Sequence, residues 1–291
     1  MINVYQQVSR NKIRSFLIIS LFIGFISFAA YIIAYSYDLA ELFPLALLFS
    51  FGSSFLSYYY GDKIVLALNQ AKVATRKDYF DFYTVTENLC LAAQIPTPKI
   101  YVIDTPAMNA FATGRNPQNA VVCATTGLLA KLDRTELEGV IAHELSHIKN
   151  YDILLMTTVS LLIGTLSILI DLAHHSTFNR KNNKESSSSI LTLIGIILII
   201  FAPLIGQLIQ LAISRQREFF ADAQSALLTR QPSGLISALK KISSDPNIFE
   251  TASTATASLY ITNPFTKNKI ANLFSTHPPV EDRIKALEGM I

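Results

Sequence analysis

The chain is short of charge. Only 15% of its 291 residues are charged and 51% are hydrophobic, whereas a soluble globular domain carries about a quarter charged residues. With a mean hydropathy of +0.36, this excludes a disordered chain and an ordinary water-soluble enzyme, and points to a membrane protein with a modest water-facing part. Cysteine is nearly absent. Cys90 and Cys123 form no C-x-x-C pair, so there is no disulfide framework and no thiolate metal or redox motif. The plain reading is two small buried residues in a reducing compartment. Clustered positive charge is missing as well. The net charge is +3, and beyond Arg10, Lys12 and Arg14 no basic run exceeds two residues. A nucleic-acid partner, which needs a basic face, is therefore not expected. No repeat recurs at a fixed period.

What the chain does have is four long uncharged stretches, at about 15–37, 42–61, 153–170 and 190–212, the last inside an uncharged run from Ser186 to Ser214 that contains Pro203. Roughly 20 apolar residues cross a bilayer as a helix, so all four are candidate spans. Lys and Arg near span ends set orientation. Arg10, Lys12 and Arg14 precede the first span, and Lys63, Lys72, Arg76 and Lys77 follow the second, while the link between them holds only Asp38 and Glu41. The N-terminus and the segment after Gly61 are thus expected on the cytoplasmic side. Arg180, Lys181 and Lys184 in the second link run against the charge rule, yet two further crossings remain the better reading. The serine run at 186–189 marks that link, with His174 and His175, as a solvated loop.

The expected organisation is an N-terminal segment and membrane hairpin (1–61), the first half of a cytoplasmic domain (62–152), a second hairpin (153–214) and the second half of the domain (215–291). The fold class is an α+β membrane protein: four transmembrane helices in two hairpins, plus a mainly helical domain with a small β-sheet. Residues 62–94 read as one helix without Gly or Pro, ended by Pro96 and Pro98. Three short strands are expected at Lys99–Asp104, Ala110–Thr113 and Ala120–Ala124. Asp133 with Glu136 forms a capping box that opens a helix running through Asn150, in position to continue into the third span. Further helices are expected from Arg215, after Pro232 and from Pro279.

Residues 143–147 read His-Glu-Leu-Ser-His. On a helix His143 and His147 share a face, and two imidazoles so placed can hold one zinc ion, with Glu144 beside an open coordination position to take a proton from an acidified water. A surface helix with two solvated histidines is the plain alternative. A catalytic zinc takes a third protein ligand. His174 and His175 would lie across the bilayer, whereas Glu218 returns to the same face after two crossings. Asp222, one turn on, is placed to accept a hydrogen bond from a ligating imidazole.

Four blocks together resemble the HtpX-type membrane metalloproteases, relatives of the CAAX prenyl protease: residues 140–148, residues 217–222, Asn109-Ala110-Phe111-Ala112-Thr113-Gly114, and residues 276–284. They stand in family order, interleaved with the apolar stretches, and cover nearly the whole chain; Tyr151 stands where a basic residue is expected. The resemblance implies a zincin-like catalytic domain with one zinc per chain, held by His143, His147 and Glu218, with Glu144 as general base and Asp222 supporting a ligand. It implies that His277 and Arg283 stabilise the oxyanion. It also implies that Asn109 to Gly114 form an exposed edge strand receiving the substrate.

The reading is a zinc-dependent endopeptidase of a bacterial inner membrane, active at the cytoplasmic face. It would cleave membrane or misfolded proteins, with the bilayer as its other partner. The rivals are a processing protease of the prenyl-protease type and a non-enzymatic membrane protein with a structural zinc.

Overall fold

The computed structural model describes residues 4–37, 42–178, 215–247, 259–261 and 278–290. The expected fourth span, His277 and most of the Ser/Thr/Asn-rich stretch before it lie outside the described residues.

Three long helices pack against one another. α1 (Val4–Tyr37) and α2 (Leu42–Leu68) run antiparallel, with Tyr31 edge-on to Phe43 at 6.3 Å at one end. α6 (Asp152–Phe178) packs on both. The inner face of α2 is small and polar: Ser50, Ser54, Ser57 and Gly61 are buried. A Cβ on Gly61 would stand 2.7 Å from a methyl of Thr157 in α6. The outer faces are apolar, with Phe16, Leu17, Phe51 and Phe55 all more than half exposed. Small residues inside and large apolar residues outside is how helices pack in lipid, where close backbone approach replaces the hydrophobic drive. Among the described residues, one stretch, Val8–Phe28, is long and apolar enough to cross a membrane by length and composition; the apolar stretch Asp152–Thr165 is shorter.

The sheet has four strands, in the order β1 (Lys72–Val73), β2 (Lys99–Ile103), β4 (Ala120–Thr125), β3 (Ala110–Gly114). β1 is antiparallel to β2, β2 is parallel to β4, and β3 is antiparallel to β4. Every residue of β3 and β4 is buried, because the sheet lies between two cores. Ile100, Val102, Ala110, Ala112, Val122 and Ala124 join one core with α3 (Phe80–Ala93) and α5 (Arg134–Lys149). Ile103, Phe111 and Cys123 face Val65 of α2 and Met156 of α6. Successive strand residues point to opposite faces, so strands covered on both faces read as continuous apolar runs. The sheet thereby joins α3 and α5 to the ends of the long helices. Both cysteines are free and buried; burial raises the Cys90 thiol to about 11 and Cys123 further still.

α4 (Thr126–Lys131) leads to α5, which opens with the expected capping box: Asp133 accepts from the Glu136 N–H and Glu136 from the Asp133 N–H, both at 2.9 Å. Glu136 also accepts from Ser237 and Lys241, at 2.6 and 2.7 Å. Those bonds dock α8 (Pro232–Ser243), which follows α7 (Arg215–Thr229); α9 (Val280–Glu288) ends the described chain.

Several expectations are corrected. Residues 62–94 are not one helix. α2 runs past Gly61 to Leu68, Gln70 turns with φ +52°, and β1 and a turn intervene before α3. Pairing of Lys72 and Val73 with Val102 and Tyr101, extended by the Ala74 N–H to Ile100 O bond, competes successfully with helix there. α5 does not continue into α6, because Asn150 ends it and Tyr151 takes φ +60°. His174 and His175 lie within α6 rather than in a loop.

α5 and α8 cross closely at Gly139 and Gly234. A Cβ on Gly139 would come 2.6 Å from the Leu235 backbone nitrogen, and one on Gly234 equally near the Thr135 carbonyl oxygen. Gly139→Ala is expected to destabilise the protein by about 1–3 kcal/mol through forced separation of packed backbones. Gly52→Ala, where nothing lies within 4 Å, should leave stability within about 1 kcal/mol. Thermal unfolding of both variants in detergent checks this.

Candidate metal centre

α5 and α7 pack side by side, running antiparallel, and their register builds the site. His147 meets Glu218, His143 meets Asp222 one turn along, and the next turn closes with Ser225 Oγ donating to the Gly139 carbonyl at 2.8 Å. The spacings 147, 143, 139 on one helix and 218, 222, 225 on the other are each the repeat of a helix face.

His143 Nε2 and His147 Nε2 are 3.2 Å apart; Glu218 Oε2 stands 3.6 Å from the first and Glu218 Oε1 3.6 Å from the second. Two ligands about 2.0–2.1 Å from a tetrahedral zinc lie roughly 3.3–3.4 Å from each other. The two imidazole nitrogens therefore already stand close to that separation, Glu218 reaches each with a different oxygen, and the three buried side chains are the cluster that could hold an ion among the described residues. Two imidazole nitrogens and a carboxylate oxygen are also the donor types zinc takes. Glu144 follows His143 on α5 and is buried beside them.

The other ring nitrogens are held from behind. His143 Nδ1 lies 2.9 Å from Asp222 Oδ1, and His147 Nδ1 lies 3.1 Å from Asp152 Oδ2. A carboxylate on Nδ1 fixes the proton there and leaves the Nε2 lone pair facing the site. The sequence reading placed Asp222 in this role and missed Asp152. Its signal was faint: an acidic residue opening a long apolar helix, five positions after His147.

Arg283 sits behind the site rather than over it. Its Nε and Nη2 donate to Asp222 at 2.8 and 2.6 Å, and Nη1 donates to the Ile261 carbonyl at 3.2 Å. With these donors engaged and the side chain fully buried, Arg283 anchors Asp222. Its Nη1 also stands 3.8 Å from Glu218 Oε2, so the residue expected as an oxyanion donor reaches the metal cluster from the Asp222 side. His277, its expected companion, lies outside the described residues.

β3 is the edge strand of the sheet among the described residues; its residues are buried and part of its outer edge is already paired. The Ile261 N–H donates to the Ala110 carbonyl at 3.0 Å, and Tyr260 lies edge-on to Phe111 at 5.3 Å while its hydroxyl bonds Asn69. Asn109 is tied to Thr125: its carbonyl accepts from the Thr125 N–H at 3.0 Å, and its N–H donates to the Thr125 hydroxyl at 3.0 Å. Thr113 bonds Thr157 of α6 at 2.9 Å. Gly114 has φ +133°, and a Cβ there would stand 2.3 Å from the Asn119 carbonyl oxygen, so the turn into β4 requires it.

Burial opposes a charge on His143, but hydrogen bonds to Asp222 and Glu218 outweigh it and raise its pKa to about 9. Burial also opposes ionisation of Asp222, yet Arg283 and His143 hold its pKa below the ordinary carboxylate value. A raised folded pKa means that the proton stabilises the folded form. For His143 that contribution is full below the ordinary histidine value of about 6.5 and is lost as pH rises through about 9. Metal-stripped protein should therefore lose thermal stability between about pH 6.5 and 9. Zinc-loaded protein, whose ligating imidazoles are neutral, should not share the fall; melting curves of the two forms across that range check it.

Comparisons with known proteins agree with this geometry. The profile of Peptidase family M48 matches residues 81–291. A protease HtpX homolog of Dictyoglomus turgidum is 42% identical over 287 residues, covering 98% of this chain and 94% of its own. One from Streptococcus equi subsp. equi is also 42% identical, covering 99% of this chain and its own full length. The crystal structure of S. mikatae Ste24p shares the fold, with a TM-score of 0.51 at 17% identity, covering 97% of this chain and 66% of that longer one. Family match, near-full-length relatives and the convergent His-His-Glu cluster lead to one assignment: the chain belongs to peptidase family M48 and is a metalloprotease of the HtpX type.

Proposed function

We propose that this protein is a zinc endopeptidase embedded in a bacterial plasma membrane, cutting membrane or misfolded proteins at the cytoplasmic surface. The observation that carries the reading is the triangle of His143, His147 and Glu218, each imidazole backed by its own carboxylate.

His143, His147 and Glu218 would hold one zinc per chain. Bound there, zinc supplies Lewis acidity, polarising the scissile carbonyl and acidifying the attacking water. Glu144, placed next to a ligand but outside the ligand triangle, takes the proton of that water and delivers it to the leaving amine. Asp222 and Asp152 keep the imidazoles in the tautomer that presents Nε2. Arg283 holds Asp222 in place.

The substrate is laid along β3. The Asn109 carbonyl turns inward to Thr125 and the Ala110 carbonyl outward to Ile261, so even-numbered residues point their backbone groups away from the sheet. Ala112 is the next outward-pointing residue, where an added strand would pair.

Membrane placement is supported by the near end of the long-helix bundle. Lys12 lies over the Tyr151 ring at 4.3 Å, Lys63 over Tyr60 at 5.0 Å and Arg115 over Tyr59 at 4.9 Å. Paired aromatics and cations favour the membrane–water boundary. From Asn11 to Tyr31, α1 spans about 30 Å at about 1.5 Å per residue, the thickness of a hydrocarbon core. Asn11 bonds Asp152 beside the metal cluster and Lys12 covers Tyr151, so the positive charges that flank α1 lie at the end nearest the metal cluster, the end that the positive-inside rule assigns to the cytoplasm. The likeness to Ste24p is one of fold alone and carries no substrate.

Glu144→Gln is expected to abolish cleavage of an unfolded model protein while keeping one zinc per chain. Loss of zinc in that variant would remove Glu144 from the role of base. Reporter fusions after Gln94 and after Asn182 should read cytoplasm and outside respectively; a cytoplasmic reading at both would overturn the second crossing.

A further inference from the structure

The metal centre reaches into the first long helix. Asn11, only 2% exposed, lies among α1 residues that otherwise present Ile13, Phe16 and Leu17 to the surroundings. Its side-chain amide donates to Asp152 Oδ1 at 2.7 Å and to the Asn150 carbonyl at 2.9 Å. The second oxygen of the same carboxylate faces His147 Nδ1 at 3.1 Å. Arg217 Nη1 stands 3.6 Å from Asp152 Oδ1 on the far side. Asn150 donates to Gln224 of α7 at 3.1 Å, and Lys12 covers the Tyr151 ring. The left-handed joint 150–152, which turns α5 into α6 directly behind a ligand histidine, is thus clasped between α1 and α7.

From this chain of contacts we infer that Asn11 is a positioning residue of the metal centre: it fixes the Asp152 carboxylate, and through it the ring of His147. The inference rests on the reading of His147 as a ligand. An asparagine suits the post because its NH₂ can serve two acceptors at once without adding charge. An apolar residue there would leave Asp152 Oδ1 and the Asn150 carbonyl short of a donor in a buried place. Groups that orient a ligating imidazole change metal affinity about 10–100-fold when removed.

The test is a cycle of four full-length proteins in detergent: wild type, Asn11→Leu, Asp152→Asn and the double variant. Zinc affinity is read by competition with a chelator, and folding by thermal melting. Asp152→Asn should weaken zinc about 10–100-fold and Asn11→Leu about tenfold. In the Asp152→Asn background, Asn11→Leu should cost little further affinity, because its route to the metal is already cut. Visible absorption of the cobalt-substituted proteins should change with Asn11→Leu as it does with Asp152→Asn. Lys12→Ala, which removes only the contact to Tyr151, should leave zinc affinity unchanged. Asn11→Ala, which adds no bulk, gives the same reading if leucine does not fit. A folded Asn11 variant with wild-type zinc affinity, or an equal loss in both backgrounds, would overturn the inference and leave Asn11 as a helix-docking residue. Wild-type protein that takes up no zinc would instead overturn the metal-centre reading beneath it.

Discussion

The antiparallel register of α5 against α7 fixes the cluster of His143, His147 and Glu218. Both helices advance one turn every 3.6 residues, so a single contact sets the others. Once Ser225 reaches the Gly139 carbonyl, Asp222 falls at His143 and Glu218 at His147. Gly139 serves two partners. Its carbonyl receives Ser225 from α7, and its missing Cβ admits the backbone of α8. α5 is therefore clamped one turn before His143, where a displacement passes directly to the site.

The sheet carries that clamp to the long helices. Its covered faces leave no strand of β3 or β4 to water, and Thr113 bonds Thr157 across to α6. α6 itself begins at Asp152, which supports His147. The site is consequently shared by two halves of the chain and by the ends of the helix bundle, with no separable catalytic lobe among the described residues.

Features written in local periodicity were legible in the sequence. The helix of His143, Glu144 and His147, its capping box at Asp133 and Glu136, the pairing of Glu218 with Asp222, and three of the four strands all follow from spacing within a few residues. What escaped depended on partners far along the chain. β1 exists because Lys72 and Val73 meet β2, the break at Tyr151 because α1 and α7 hold it, and the burial of β3 because Tyr260 and Ile261 return to cover it. No periodic signal marks such contacts. Arg283 stands in a motif, but a motif gives no direction for a side chain, and only the structure shows the guanidinium bonding both oxygens of Asp222.

Charge explains why these buried groups are stable together and what they await. Among the described residues, Glu144, Asp152, Glu218 and Asp222 are buried at the site, and the buried guanidinium groups are those of Arg217 and Arg283. Carboxylates thus outnumber guanidinium groups by two, and uncompensated buried charge costs several kcal/mol per ion. Within the protein the surplus acts on His143: burial should push the imidazole down, but Asp222 and Glu218 draw a proton onto it up to about pH 9. A single proton covers half of the surplus. A divalent cation covers all of it, and it would sit where His143 Nε2, His147 Nε2 and Glu218 already converge. The same imbalance that would make the metal-stripped site sensitive to pH would thus favour binding of a doubly charged ion there.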